Sequence, residues 1–187
     1  MEALFVSLTT IAVAEMGDRT QLLSLILAAR FGRPWPIIAA ILLATITNHA
    51  AAGLLGVWFG RFLQPHVLDL IVGASLIIMA LWALKPDQLD AEVTTLDSSG
   101  VFVATLVAFF IAEIGDKTQI ATVALAAAYT NLGAVVAGTT CGMLLANVPV
   151  VFLGKAFAHR LPLRAIRLGA AALFALLGVV FVLRGWR

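Results

Sequence analysis

Charge is what this sequence has least of. Only 12% of its 187 residues are charged and 62% are hydrophobic, against roughly 25% charged and 45–50% apolar in a soluble domain. That scarcity excludes a soluble globular protein, a disordered chain and a coiled coil. Cysteine is nearly absent. Cys141 stands alone, so no intrachain disulfide can form, and no Cys/His cluster suggests zinc or an iron–sulfur centre. The net charge is only +2, from 12 Lys+Arg and 10 Asp+Glu, and cations scattered over loops do not make a nucleic-acid surface. A mean hydropathy of +1.06 leaves one class, an all-α polytopic membrane protein.

A membrane-spanning helix needs about 20 largely apolar residues. Six such runs are present, over 3–29, 36–59, 67–84, 101–128, 131–153 and 163–183. Charged residues, glycine and proline separate them, as at Arg30-Phe31-Gly32-Arg33-Pro34, Arg61 to Pro65, Lys85-Pro86-Asp87, Asn131-Leu132-Gly133 and Lys155 to Arg164. The first run is expected to be a mature helix and not a signal peptide. It lacks a basic start and carries Glu15, Asp18 and Arg19. Six spans put both termini on one side. Arg30, Arg33, Lys85, Lys155, Arg160, Arg164 and Arg167 fall on the opposite side, against Arg61, Arg184 and Arg187, so the positive-inside rule predicts both termini outside. Trp35, Trp58, Trp82 and Trp186 sit near span ends, as in an aromatic belt.

Shifting the chain by 98 residues lays Ala14-Glu15-Met16-Gly17-Asp18-Arg19-Thr20-Gln21 over Ala112-Glu113-Ile114-Gly115-Asp116-Lys117-Thr118-Gln119. Six of these eight positions are identical. Asn48 echoes Asn147 with one residue of slippage. The expected plan is two three-helix repeats, 1–84 and 101–187, joined by an acidic cytoplasmic linker, 85–100, with Asp87, Asp90, Glu92 and Asp97. Three is odd, so the second repeat must insert upside down, the inverted-repeat arrangement of many transporters.

Glu15, Asp18, Glu113 and Asp116 fall near mid-membrane, where an ionised side chain costs at least about 2.5–3.5 kcal/mol. Glu15, Asp18 and Gln21 share one helical face, as do Glu113, Asp116 and Gln119. Gly17 and Gly115 between the carboxylates permit close helix approach or a local break. With Asn48 and Asn147, these residues form an oxygen-rich candidate metal site suited to Mg²⁺, Ca²⁺ or Mn²⁺. Four carboxylates against Arg19 and Lys117 leave a formal −2, which one divalent ion or two protons neutralise, so exchange of one for the other is the natural hypothesis. Arg19 and Lys117 either tune the charge of the site or hold its carboxylates. The bland alternative is i,i+4 pairing, Glu15–Arg19 and Glu113–Lys117. Thr20 and Thr118 either support the site or bond their own helix carbonyls. Ser24, Thr122 and Cys141 read as packing residues, His66 and His159 as interfacial, and Pro149 as a bend beside Asn147. His49 is a candidate metal ligand or proton carrier, set against the commoner case of a histidine with a satisfied structural bond.

The motif E-x-G-D-[KR]-[ST], present twice in six helices, resembles the hallmark of the Gdt-type cation transporters. Here it reads Glu15-Met16-Gly17-Asp18-Arg19-Thr20 and Glu113-Ile114-Gly115-Asp116-Lys117-Thr118. The resemblance implies Mn²⁺ or Ca²⁺ transport out of the cytoplasm in exchange for protons, with both motifs forming the ion site. A compact chain points to the bacterial manganese exporters and an inner membrane. The expected partners are a divalent metal ion, protons and the lipid bilayer; no resident cofactor is expected, and an oligomer is compatible with the chain. Two other classes compete. An intramembrane aspartyl protease of the presenilin type uses G-x-G-D and Y-D, but Glu15 and Glu113 replace the first glycine and Tyr129 precedes Thr130. The other is a passive cation channel or a small-molecule exporter, and of these an amino-acid carrier has no evident need for four midplane carboxylates.

Overall fold

Large apolar side chains are exposed over the outside of this molecule, and a set of polar and charged side chains is buried within its apolar core. The computed structural model describes residues 1–85, 100–153 and 163–186, and the regular structure among them is helical. Eight helices follow in order: α1 (Glu2–Glu15), α2 (Arg19–Phe31), α3 (Pro34–Gly60), α4 (Pro65–Ala83), α5 (Val101–Glu113), α6 (Lys117–Ala128), α7 (Leu132–Leu153) and α8 (Leu163–Gly185). Asp87, Asp90, Glu92, Asp97, Lys155, His159, Arg160 and Pro162 lie outside the described residues.

Helices α3, α4, α7 and the Arg167–Gly185 part of α8 are long and apolar enough to cross a membrane. α3, α4, α7 and the whole of α8 match the predicted runs to within two residues at each end. Prolines open α3 and α4 at their first turn, where the missing N–H has no helical partner to lose.

The predicted helices over 3–29 and 101–128 are not continuous. Each is two short helices, parted at Met16-Gly17-Asp18 and at Ile114-Gly115-Asp116. The cause is local. Gly17 and Gly115 take φ of 78° and 72°, a left-handed conformation that side chains with a Cβ disfavour. The residues on either side are extended. Of the two roles open to these glycines, the structure adopts the break.

α1 and α2 pack on α7, and α5 and α6 pack on α3. α3 also meets α7, and α4 lies along α8. α1 touches α6, and α2 touches α5. Small residues set these distances: a Cβ on Gly142 would stand 2.6 Å from the Leu8 carbonyl oxygen, and one on Gly73 would stand 2.7 Å from the Gly178 oxygen. Such close backbone approach is how helices associate where lipid is as apolar as the side chains.

Burial in the two long inner helices follows one offset. Ten positions are buried in α3, and nine of them recur in α7 98 residues on, from Ile37 and Val135 to Gly53 and Val151. The tenth, Gly56, maps to 154, outside the described residues. This corrects the one-residue slip: His49 stands where Asn147 stands, and Asn48 corresponds to Ala146.

The chain ends share one end of the bundle. Tyr129 donates to Glu2 Oε1 at 3.2 Å and packs edge-on against Phe181 at 6.4 Å. Cys141 is exposed on the outside and is not a core packing residue. Trp35, Trp58 and Trp186 are exposed near helix ends.

Gly115 has open space where a Cβ would go, so its requirement is conformational alone. Gly115→Ala is expected to destabilise by roughly 1–2 kcal/mol, read as a lower unfolding midpoint in detergent. Gly169→Ala, in an exposed and open part of α8, is expected to hold or raise it.

Candidate ion-binding site

Each break is built in the same way. The backbone N–H of Asp18 donates to the Glu15 carbonyl at 3.1 Å, and that of Asp116 to the Glu113 carbonyl at 3.1 Å. The Gly17 N–H donates to Gln21 Oε1 at 2.8 Å, and the Gly115 N–H to Gln119 Oε1 at 2.8 Å. The two glutamines, predicted on the acidic face, thus tie the second half-helix back to the turn. Gln21 also donates to the Ala146 carbonyl on α7 at 3.0 Å.

The breaks bring two copies of the motif together. Carboxylate oxygens of Glu15, Asp18 and Asp116 lie within 4.8 Å of one another, all three residues buried. The N-termini of α2 and α6 begin at this centre, and their dipole ends favour negative charge beside them. Asp116 caps α6, accepting from the Thr118 N–H at 3.2 Å and its hydroxyl at 2.9 Å. Thr20 instead donates to Glu15 Oε2. Both threonines therefore bond motif carboxylates and not the carbonyls of their own helices. Glu15 Oε1 is buried with no hydrogen-bond partner among the described residues.

Positive charge crosses between the copies. Lys117 Nζ donates to Asp18 Oδ1 at 2.7 Å, with both residues buried. Arg19 Nη2 lies 3.2 Å from Asp116 Oδ1. Where the sequence offered the i,i+4 pairs Glu15–Arg19 and Glu113–Lys117, the ion pairs seen among the described residues cross between the motifs. The break lets each cation reach the aspartate of the other motif.

Glu113 sits to one side of the three-carboxylate cluster, within electrostatic reach of Glu15 and Asp116. Its oxygens accept from Thr45 Oγ1 at 2.7 Å and Asn48 Nδ2 at 3.1 Å. Asn48 also donates to the Phe110 carbonyl at 3.2 Å. Thr45 was not legible as a site residue, although it lies one turn before Asn48 on the same buried face of α3. Asn147 is engaged differently. Ser24 donates to its Oδ1 at 2.6 Å, and its Nδ2 donates to the Met143 carbonyl at 3.1 Å. Ser24 thus makes an interhelical packing bond, while Thr122 bonds the Thr118 carbonyl of its own helix at 2.8 Å. His49 is fully buried, and neither ring nitrogen has a partner among the described residues, unlike the satisfied histidine that is the commoner case. His66 is exposed in the first turn of α4.

Residues 3–91 and 101–187 match the family described as "Divalent cation/proton antiporter GDT1". Over 96% of its length the chain is 53% identical to a Vibrio cholerae protein named "Putative manganese exporter", covering 90% of that protein. It is 29% identical to the GDT1-like protein sll0615 of Synechocystis, with 96% of each chain covered. It is 25% identical to the GDT1-like protein 3 of Oryza sativa subsp. indica, with 92% of this chain and 71% of that one covered. No solved structure matches.

Removing one partner of a buried ion pair strands the other, at a cost of about 3–5 kcal/mol. Lys117→Met is therefore expected to lower the unfolding midpoint sharply, and Asp18→Asn in the same chain to restore part of the loss. A double-mutant cycle in detergent measures the coupling; additive effects would contradict the pairing.

Proposed function

The chain belongs to the GDT1 family of divalent cation/proton antiporters, and from that premise we propose that it exports Mn²⁺ from the cytoplasm in exchange for protons. One observation carries the reading: three buried carboxylates, drawn from both motif copies, have oxygens within 4.8 Å of one another. Such a cluster cannot stay fully ionised in a low-dielectric interior without a cation to compensate it. The proposed ligands are Glu15, Asp18 and Asp116. Glu113 adds charge at the edge, held by Thr45 and Asn48. Gln21 and Gln119 fix the two turns.

The donors are hard oxygens, which suit Mn²⁺, Ca²⁺ and Mg²⁺, and no thiol stands in the set. The name of the Vibrio cholerae relative favours manganese. Lys117 and Arg19 act as tethered counter-charges. Four carboxylates against these two cations leave −2, the charge that one Mn²⁺ or two protons cancel. The loaded and the protonated centre then differ little in net charge, so each can change its exposure at modest electrostatic cost. Incoming metal displaces the Lys117 ammonium from Asp18, and departing metal lets it return.

The proposed architecture is six spans in two inverted repeats, 1–84 and 101–187, with 85–100 as a cytoplasmic linker. The common burial offset of α3 and α7 supports it, and so does the crossed contact of α1 with α6 and α2 with α5. Broken spans that meet at the midplane are how such transporters present half-helix ends to an ion. The excess of basic residues in the loops opposite the termini supports a bacterial inner membrane with both termini outside.

The test is metal uptake into inverted vesicles with a pH-sensitive dye inside, comparing Mn²⁺, Ca²⁺ and Mg²⁺. Wild type is expected to take up Mn²⁺ fastest and to move protons the opposite way. Asp116→Asn should reduce uptake by more than the roughly 10–100-fold that loss of an outer partner costs, with insertion intact. Unimpaired uptake in that variant would remove Asp116 from the site. Faster Ca²⁺ uptake would reassign the ion, and uptake indifferent to the pH gradient would remove proton coupling.

A further inference from the structure

Hydroxyls on a membrane helix ordinarily bond back to a carbonyl of their own helix three or four residues earlier. Thr9, on the exposed side of α1, does so, donating to the Phe5 carbonyl at 2.8 Å. Thr47, exposed on α3, donates to the Leu43 carbonyl at 2.8 Å. Ser7 and Thr10 on α1 do not. Both are 0–1% exposed, and neither hydroxyl has a partner among the described residues. A buried hydroxyl without a partner is costly, and here two stand one turn apart on one helix although a carbonyl is within each residue's ordinary reach.

Their place gives the cost a use. They lie eight and five residues before Glu15, about 12 and 7 Å along the helix axis. Ser7 lies on the side of α1 that meets α7, 2.9 Å from where a Gly138 Cβ would be. One turn earlier, Ala3 joins Leu125 and Ala126 of α6 and Val135 of α7 in one apolar cluster. Ser7 therefore faces the seam where α1 runs between α6 and α7, and Thr10, three residues on, lies on the same buried face of the helix. Beyond them, at the end of the bundle, stands the Glu2–Tyr129 pair. Thr105 on α5 lies 98 residues after Ser7 and is likewise fully buried with no partner among the described residues, whereas Thr10 corresponds to Ala108.

We propose that Ser7 and Thr10 line the route by which the divalent cation passes between the carboxylate centre and the membrane face carrying the N-terminus. This rests on the transport reading above. Hydroxyl oxygens are hard, neutral donors. They can replace water on a partly dehydrated cation without trapping it as a carboxylate would. In the closed arrangement of the structure they are left without partners, and they find them when the seam opens and water or the ion enters.

Two measurements test this. Thr10→Val removes the hydroxyl at nearly constant volume. It is expected to raise the unfolding midpoint, to leave Mn²⁺ binding in detergent unchanged, and to slow Mn²⁺ flux about tenfold, as loss of one hydrogen bond to a charge predicts. Thr9→Val should change flux little. In a Cys141→Ala background, Ser7→Cys and Thr10→Cys should react with a membrane-impermeant thiol reagent added from the N-terminal side, several-fold more slowly with Mn²⁺ present, and Thr9→Cys should not react. Unchanged flux in Thr10→Val together with no labelling of either cysteine overturns the route and leaves the transport reading standing. A wild type that moves no Mn²⁺ overturns both.

Discussion

Two ion pairs exchanged between the motif copies decide the rest of this structure. Asp18 is held by Lys117 and Asp116 by Arg19, so neither motif neutralises itself. A lone broken helix carrying Glu, Asp and a cation would strand charge in hydrocarbon. Two of them, facing each other, pair each aspartate with the cation of the other motif and leave the two glutamates. The cost of intramembrane charge therefore acts as a tether between distant parts of the chain, and the remaining helices are arranged so that the tether can close. α3 and α7 supply the small buried faces that let the half-helices approach, and the exposed leucines, isoleucines and phenylalanines face outward.

The break in each span is the means. A continuous helix would place Glu15 and Arg19, or Glu113 and Lys117, one turn apart on the same face. A left-handed glycine between the carboxylates ends the first helix, and the following aspartate starts the next. Only then can the cation reach across. The side-chain amide of Gln21 or Gln119 satisfies the freed glycine N–H, so the break leaves that backbone donor paired. The two halves then differ in detail. Thr20 bonds Glu15, Thr118 bonds Asp116, and Glu113 alone is gripped by Thr45 and Asn48. In the proposed transport, this asymmetry leaves Glu15, with one oxygen unpartnered, as the readiest ligand.

Much of this was legible in the sequence. The long apolar runs gave the four continuous spans because hydropathy and length suffice where a helix is uninterrupted. The two acidic signatures marked the chemistry because ordered Glu, Gly, Asp, Thr and Gln do not recur by chance in an apolar chain. What the sequence could not decide was the choice between a glycine that packs and a glycine that breaks, since both use the same residue. The partner choice of Arg19 and Lys117 depended on that choice. Asn48 and Asn147 misled for a different reason: matching residue type suggested a one-residue slip, whereas burial keeps the offset at 98 and sets His49 opposite Asn147. Thr45, Ser7 and Thr10 carried no signal of their own, because hydroxyls are common and inexpensive in membrane helices when they bond their own backbone.

The central claim is that both motifs serve one ion. Anomalous diffraction at the manganese edge from crystals of the full chain grown with Mn²⁺ measures this directly. The account predicts a single strong peak among the carboxylates of Glu15, Asp18 and Asp116, with the Lys117 ammonium moved off Asp18. Two separate peaks, one at each motif, or a peak away from both, would contradict it.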